Sequence, residues 1–328
     1  MNRELPAEGR HVILVDLDDT QVADRPAARV AIAATLAGER LPYGQSAVKT
    51  VLGCAERCWA THRYRRFGPL TYVSAWEALW LPTAGTGLPV HIAAAIAVHP
   101  REVWRTALGQ LGGDPCRAGA AAEAFRTHRL TLLAPMPGVL AALDALARTH
   151  VLWLATNGLP AHQFGKIDAA GLTSRFTRIL ISGQIGAAKN EPGFAARVQA
   201  VLAAEHRRVC LVIGDSIVHD LGLARHGGWS AAHLCLPRRC PARQEPATPG
   251  PQPVWHTADL AATAAYCACA AGSPPAVAQH RPIPPAVVGA EVAGPREPVP
   301  GGGWLGSACG GSPWSAALLC GIAIAAPS

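Results

Sequence analysis

The first apolar run along the chain, residues 11–15 (HVILV), is short, rich in β-branched side chains and ends in acids. That pattern predicts a buried strand. Beyond Val22 the grammar changes. Residues 22–133 are rich in Ala, Arg and Trp, with helix-like stretches at 26–37, 46–62 and 100–111. Gly and Pro punctuate them at 68–69, 82–89 and 112–115, so the block reads as helical and self-contained. From Pro137 the pattern becomes regular. Helices at 138–148, 161–170 and 193–205 alternate with strands at 151–155, 178–182 and 209–213, and a further helix opens at 220–225. Weaker strands are expected at 231–236 and 253–256. Alternating strand and helix predicts an α/β fold: a mainly parallel sheet with helices on both faces. After about residue 265 no period is visible. Residues 266–328, dominated by Pro, Gly, Ala and Cys, read as a low-complexity, disordered tail.

Composition narrows the class. Half of the 328 residues are hydrophobic, enough for a real core. No apolar run reaches the ~20 residues of a membrane span. The nearest, residues 316–326, is too short, so no membrane partner is expected. Residues 1–10 carry Arg3, Glu4, Glu8 and Arg10 without an apolar stretch, which does not read as a secretory signal and favours a cytoplasmic protein. The net charge of +7 comes from arginine scattered through the chain, with only three lysines, Lys49, Lys166 and Lys189. No basic block or nucleic-acid-binding motif accompanies it, and no nucleic-acid partner is expected. The ten cysteines have no disulfide-framework context. The close pairs Cys54/Cys58 and Cys267/Cys269 lack a matching second pair, and read as buried thiols rather than zinc ligands.

The acids concentrate. Five of the ten aspartates fall in two short motifs, each ending an expected strand. A parallel α/β sheet places its ligand crevice at that edge. In Asp16-Leu-Asp18-Asp19-Thr20, extended-chain alternation sends Asp16 and Asp18 to the same side. Two close carboxylates split their pKa values unless a cation lies between them, which suits a nucleophile or metal ligand paired with an acid/base. An acidic turn capping a helix is the plainer alternative. Thr156-Asn157-Gly158 offers a hydroxyl and backbone N–H groups to a phosphate oxygen, or forms an ordinary N-cap. Lys189 places a compact cation just before a helix. In Gly214-Asp215-Ser216-Ile-Val-His-Asp220, two acids five apart make a hard-oxygen environment suited to Mg²⁺.

Taken together and in this order, DLDDT, LATNG, Lys189 and GDSIVHD resemble the four motifs of the haloacid dehalogenase superfamily. The resemblance covers residues 11–22 and about 134–236. It implies a Rossmann-like catalytic core (1–22 and 134–265) and a helical C1-type cap (23–133), as in subfamily I. It implies a Mg²⁺-dependent phosphomonoester hydrolase acting on a small phosphorylated metabolite through an aspartyl-phosphate. Asp16 would be the nucleophile, Asp18 the acid/base, and Lys189 the charge-balancing cation. Thr156, Asn157 and Lys189 would hold the phosphoryl group. Asp16, the Asp18 carbonyl, Asp215 and Asp220 would face the metal. A phosphomutase or a non-catalytic module on the same fold remains the alternative. Two positions depart from the family's pattern: Gln21, where an apolar residue usually follows the threonine, and Asn190, where proline often follows the lysine. Arg57, Arg63, Arg65 and Arg66 in the cap could meet an anionic substrate or be solvated surface.

Overall fold

The computed structural model of the chain describes residues 11–82, 84–235 and 254–270. The chain opens with β1 (His11–Val15) and then forms four helices, α1 (Arg25–Gly38), α2 (Gln45–Thr61), α3 (Val90–Gln110) and α4 (Ala118–Thr131). It continues through α5 (Val139–Ala147), β2 (Val151–Thr156), α6 (Pro160–Ala169), β3 (Arg178–Ile181), α7 (Ser182–Ile185), α8 (Pro192–Ala204) and β4 (Arg208–Gly214). After these come α9 (Asp220–Gly227), β5 (Ala231–Leu234), β6 (Val254–Thr257) and α10 (Leu260–Ala270).

The six strands form one sheet in the order β3-β2-β1-β4-β5-β6, and every pairing is parallel. This is the doubly wound arrangement, whose strand order reverses between β1 and its neighbours. Alternate strand residues feed two cores. Ile13, Val15, Leu152, Leu154, Leu211 and Ile213 pack against α5 and α10 on one face. Val12, Leu14, Trp153, Val209 and Val212 pack against α8 and α9 on the other. Burial on both faces explains why the strands read as unbroken apolar runs. The β1–β4 register shifts between Val12 and Ile13, where Cys210 is the extra residue of a bulge. Its thiol donates to the Val12 carbonyl at 3.4 Å.

The expected α/β architecture and all six strands are present, with differences at the ends. Ser182 opens α7 instead of closing β3. The expected helix at 100–111 begins at Val90, directly after Pro89, and accommodates Pro100 inside it. Helix α4 fell outside the expected stretches, because its Ala-rich sequence (AGAAAEAF) carries little amphipathic contrast. Helix α10 continues past residue 265, into the segment read as a tail; residues 271–328 lie outside the described residues.

Helices α1–α4 share a core of their own, built on Ile32, Leu36, Val51, Trp104, Leu108 and Phe125. A second, smaller cluster joins Trp59, Leu70, Leu81, Ile92 and Ile96 to Leu159, which lies between β2 and α6. Trp104 is fully buried and stacks at a tilt on Phe125, with ring centroids 6.0 Å apart. Trp104→Ala is expected to cost about 3–5 kcal/mol of stability through lost burial and the cavity left behind, read by urea unfolding. A cost below 1 kcal/mol would show that this helical core contributes little to the fold.

Candidate active site

β1, β2 and β4 all end at one edge, and each delivers polar residues there. Asp16 follows Val15; its N–H donates to the Ile213 carbonyl at 2.9 Å, so its position is set by the β1–β4 ladder. The turn after it is shaped by Asp19, whose φ of 58° is left-handed. The Asp19 carboxylate accepts from the N–H groups of Asp24 (2.8 Å) and Arg25 (3.1 Å), at the start of α1. The helix-capping alternative therefore holds for Asp19, and Asp16 and Asp18 are left to other partners.

Asp16, Asp215 and Asp220 come together, each offering one carboxylate oxygen within 4.8 Å of the others. Lys189, arriving before α8, donates to Asp16 and, at 2.6 Å, to Asp220. Asp16, Asp220 and Lys189 are buried, and Asp215 is the most open. Asn157 positions the lysine: its Oδ1 accepts the Lys189 N–H at 3.0 Å. Asp220 Oδ2 accepts the Ser216 N–H at 2.9 Å. Gly214 lies directly under this carboxylate, and any Cβ there would overlap it. Thr156 ends β2 as a buried hydroxyl, and the next N–H but one, Gly158, donates to Ser182 Oγ at 2.9 Å.

Burial is the main reason Asp16 and Asp215 resist ionisation. It raises Asp16 to about 6, with Asp220 adding to the effect and Lys189 opposing it. Asp215 rises to about 8 through burial and the charges of Asp16 and Asp220. Lys189 is raised: burial works against its charge, but Asp16 and Asp220 outweigh it. Three carboxylates face one lysine. The set is all hard oxygen and under-neutralised, which is the chemistry that fits a divalent cation such as Mg²⁺.

Asp18 lies apart from that group, although alternation placed it on the same side as Asp16. The strand ends at Val15, and the chain turns before alternation extends that far. Its carboxylate is gripped by Lys166, at 2.7 and 2.8 Å. The same ammonium donates to Glu77 at 2.9 Å, and Glu77 comes from the helical insertion. Glu77 is further tied to the Ser74 N–H and hydroxyl and to Gln163. Asp24 completes the group and is held by Arg129 at 2.6 Å. Asp18 is pushed well above the usual carboxylate range by burial and by Asp24 and Glu77, against the pull of Lys166. Burial also opposes the charge on Glu77, but Lys166 and Ser74 overcome it and hold its pKa down.

Lys166, Glu77, Asp24 and Arg129 were not singled out in the sequence. One signal was available: Lys166 shares the buried face of α6 with His162, Gln163 and Ile167, where an unpaired lysine is not tolerated. Of the arginines in the insertion, Arg57, Arg63 and Arg66 are exposed and Arg65 is half-buried; Arg57 donates to Cys54 Sγ, and Arg63 stacks on Tyr64.

The family model for haloacid dehalogenase-like hydrolases matches residues 11–228, from β1 through α9. The chain belongs to this family. It is 33% identical over 221 residues to a phosphoserine phosphatase of Thermus thermophilus, covering 66% of this chain and 85% of that protein. It is 27% identical over 139 residues to the pyrimidine 5'-nucleotidase YjjG of Escherichia coli, spanning 59% of that protein. The fold is similar to that of the defluorinating L-2-haloacid dehalogenase Rha0230, with a TM-score of 0.51 at 18% identity over 78% of this chain and 94% of that one. Both departures from the pattern of this hydrolase family have structural partners. Gln21 is fully buried, and its Nε2 donates to the Asp16 carbonyl at 2.6 Å. Asn190 accepts at its carbonyl from the His226 ring at 3.0 Å, and its Oδ1 lies 3.1 Å from His219 Nδ1.

Two measurements test this electrostatic layout. Lys166→Met strands Asp18 and Glu77 and is expected to cost about 3–5 kcal/mol. Adding Glu77→Gln is expected to recover part of that loss in a double-mutant cycle; strictly additive losses would disprove the coupling. Asp215 has a folded pKa raised above its unfolded value. Its contribution to stability is therefore fully present below about pH 4 and is lost as pH rises through about 8. In EDTA at pH 8.5, Asp215→Asn is expected to raise Tm over the parent by roughly 2–4 °C, a gain that shrinks toward pH 5. A Tm difference that does not change with pH would refute the assignment.

Proposed function

We propose that this hydrolase is a phosphatase acting on a small phosphorylated metabolite, with Mg²⁺ held by Asp16, Asp215, Asp220 and the Asp18 carbonyl. The reading rests on one observation above all: a buried aspartate at the end of β1, touched by a lysine and flanked by two further carboxylates. The relatives named phosphoserine phosphatase and pyrimidine 5'-nucleotidase support the substrate class. The division into a core (1–22 and 134–265) and a cap (23–133) belongs to this proposal, and the separate apolar core of α1–α4 supports it.

Asp16 attacks phosphorus, and the bond to the leaving oxygen breaks as an aspartyl-phosphate forms. Lys189 offsets the negative charge that gathers as an anionic nucleophile meets an anionic phosphate. Thr156 and Asn157 orient the phosphoryl oxygens, and Asn157 also fixes Lys189 through its backbone. The bound cation supplies further charge neutralisation. Asp18, whose pKa burial raises, gives its proton to the leaving oxygen. It then takes a proton from the water that cleaves the aspartyl-phosphate, releasing inorganic phosphate and restoring Asp16. Lys166 sets where the Asp18 carboxyl waits. Because Glu77 shares Lys166, the insertion is coupled to the acid/base group through a single ammonium.

Hydrolysis of p-nitrophenyl phosphate tests the reading. Activity is expected with Mg²⁺, is expected to disappear in EDTA, and is expected to disappear in Asp16→Asn. Asp18→Asn is expected to lower kcat by about 10²–10⁴-fold on an alkyl phosphate such as phosphoserine. The loss should be smaller on p-nitrophenyl phosphate, whose leaving group departs without a proton. Full activity in Asp16→Asn would overturn the proposal.

A further inference from the structure

A second cluster of ligating side chains lies at the other end of the sheet edge, on β5 and β6. His233 lies on β5, and Cys235 follows two residues on, just past the strand's end. The Cys235 N–H donates to the Thr257 carbonyl at 2.8 Å, which carries the β5–β6 pairing to that residue. His256 is the register partner of His233 on the neighbouring parallel strand, so its ring joins the same face. The alternate residues Ala232, Leu234 and Trp255 turn the other way, into the core beneath α5 and α10.

The donor atoms converge. His256 Nδ1 lies 3.4 Å from His233 Nδ1 and 3.4 Å from Cys235 Sγ. One ligand atom from each of the three residues falls within 4.8 Å of the others. A tetrahedral Zn²⁺ with Zn–N of about 2.0–2.1 Å and Zn–S of about 2.3 Å separates its ligands by about 3.4 Å for N···N and about 3.6 Å for N···S. The two spacings about His256 Nδ1 are close to that geometry. The orientation of His233 is also set. Its Nε2 lies 2.8 Å from the Asp215 carbonyl, an acceptor, so Nε2 carries the proton and Nδ1 presents its lone pair to the cluster. A ligating histidine characteristically donates its other N–H to a carbonyl or carboxylate in this way. The ring is buried.

We propose that His233, Cys235 and His256 form a zinc site, distinct from the all-oxygen cluster at Asp16, Asp215 and Asp220. The donor chemistry separates the two: imidazole and thiolate select Zn²⁺, whereas carboxylates and carbonyls select Mg²⁺. Zinc takes four ligands, so one comes from outside this trio. On binding, the Cys235 thiol gives its proton to solvent and its sulfur bonds the metal, with no change of oxidation state. The site pins β6 to β5. Through His233 it also fixes the backbone of Asp215, whose carboxylate belongs to the candidate active site, and this makes the site structural. The proposal does not depend on the phosphatase reading.

The test uses the full chain, stripped of metal and returned to buffer with excess Mg²⁺ so that the carboxylate cluster is occupied. Co²⁺ added as a zinc probe is expected to produce a near-ultraviolet thiolate-to-metal charge-transfer band, which only a cysteine ligand generates. Zn²⁺ is expected to bleach it at about one equivalent per chain. The band is expected to be absent in Cys235→Ser and displaced or absent in His256→Gln, while circular dichroism shows both variants folded. It is expected to survive in Cys54→Ser, a cysteine far from the cluster in the helical insertion. No band in the parent protein, or an unchanged band in Cys235→Ser, would overturn the proposal. A variant that fails to fold leaves the other substitution and the parent titration to decide.

Discussion

The structure turns on a single difficulty: several carboxylates must sit at the ends of strands buried on both faces. Taking a charge out of water is costly unless a partner replaces the solvent. Two lysines out of the three in the chain meet that need. Lys189 serves Asp16 and Asp220, and Lys166 serves Asp18 and Glu77. The two nests differ in balance. Around Lys166, Arg129 adds a second cation by holding Asp24, and the charges are close to matched. Around Lys189 the acids are in excess, the chemistry that fits a divalent cation.

The backbone around these groups is built to the same end. Asp16 is anchored by the ladder between β1 and β4, and its carbonyl takes a bond from the buried Gln21 amide. Gly214 leaves room for the Asp220 carboxylate, and Ser216 meets that carboxylate with its N–H. Asn157 ties β2's end to Lys189. These contacts fix the backbone of Asp16 and Lys189 and the carboxylate of Asp220 before any substrate arrives, which is how a site avoids reorganising during reaction.

The helical insertion is not a bystander to this arrangement. Glu77 reaches Lys166, Trp76 donates to Asp24 at 2.5 Å, and Arg129 reaches Asp24 from α4. The arginines that drew attention in the sequence are mostly exposed. The arginine that reaches the site, Arg129, is fully buried between His128 and Leu130 in the chain, and charge counting along the chain gives it no distinction.

Much of the edge that carries the candidate site was determined by the sequence alone. DLDDT, the TNG turn, Lys189 and GDSIVHD each follow or precede an apolar run whose length and composition make it a strand or helix, and local chain chemistry suffices to place them. The two-sided burial of the sheet followed from the unbroken apolar runs in the same way. Tertiary structure decided the pairings. Which lysine neutralises which aspartate, the hold of Lys166 on Asp18, the role of Glu77, and the approach of His256 to His233 and Cys235 all join residues distant in the chain. Their energies depend on distance and burial in three dimensions, and neither periodicity nor composition carries that information.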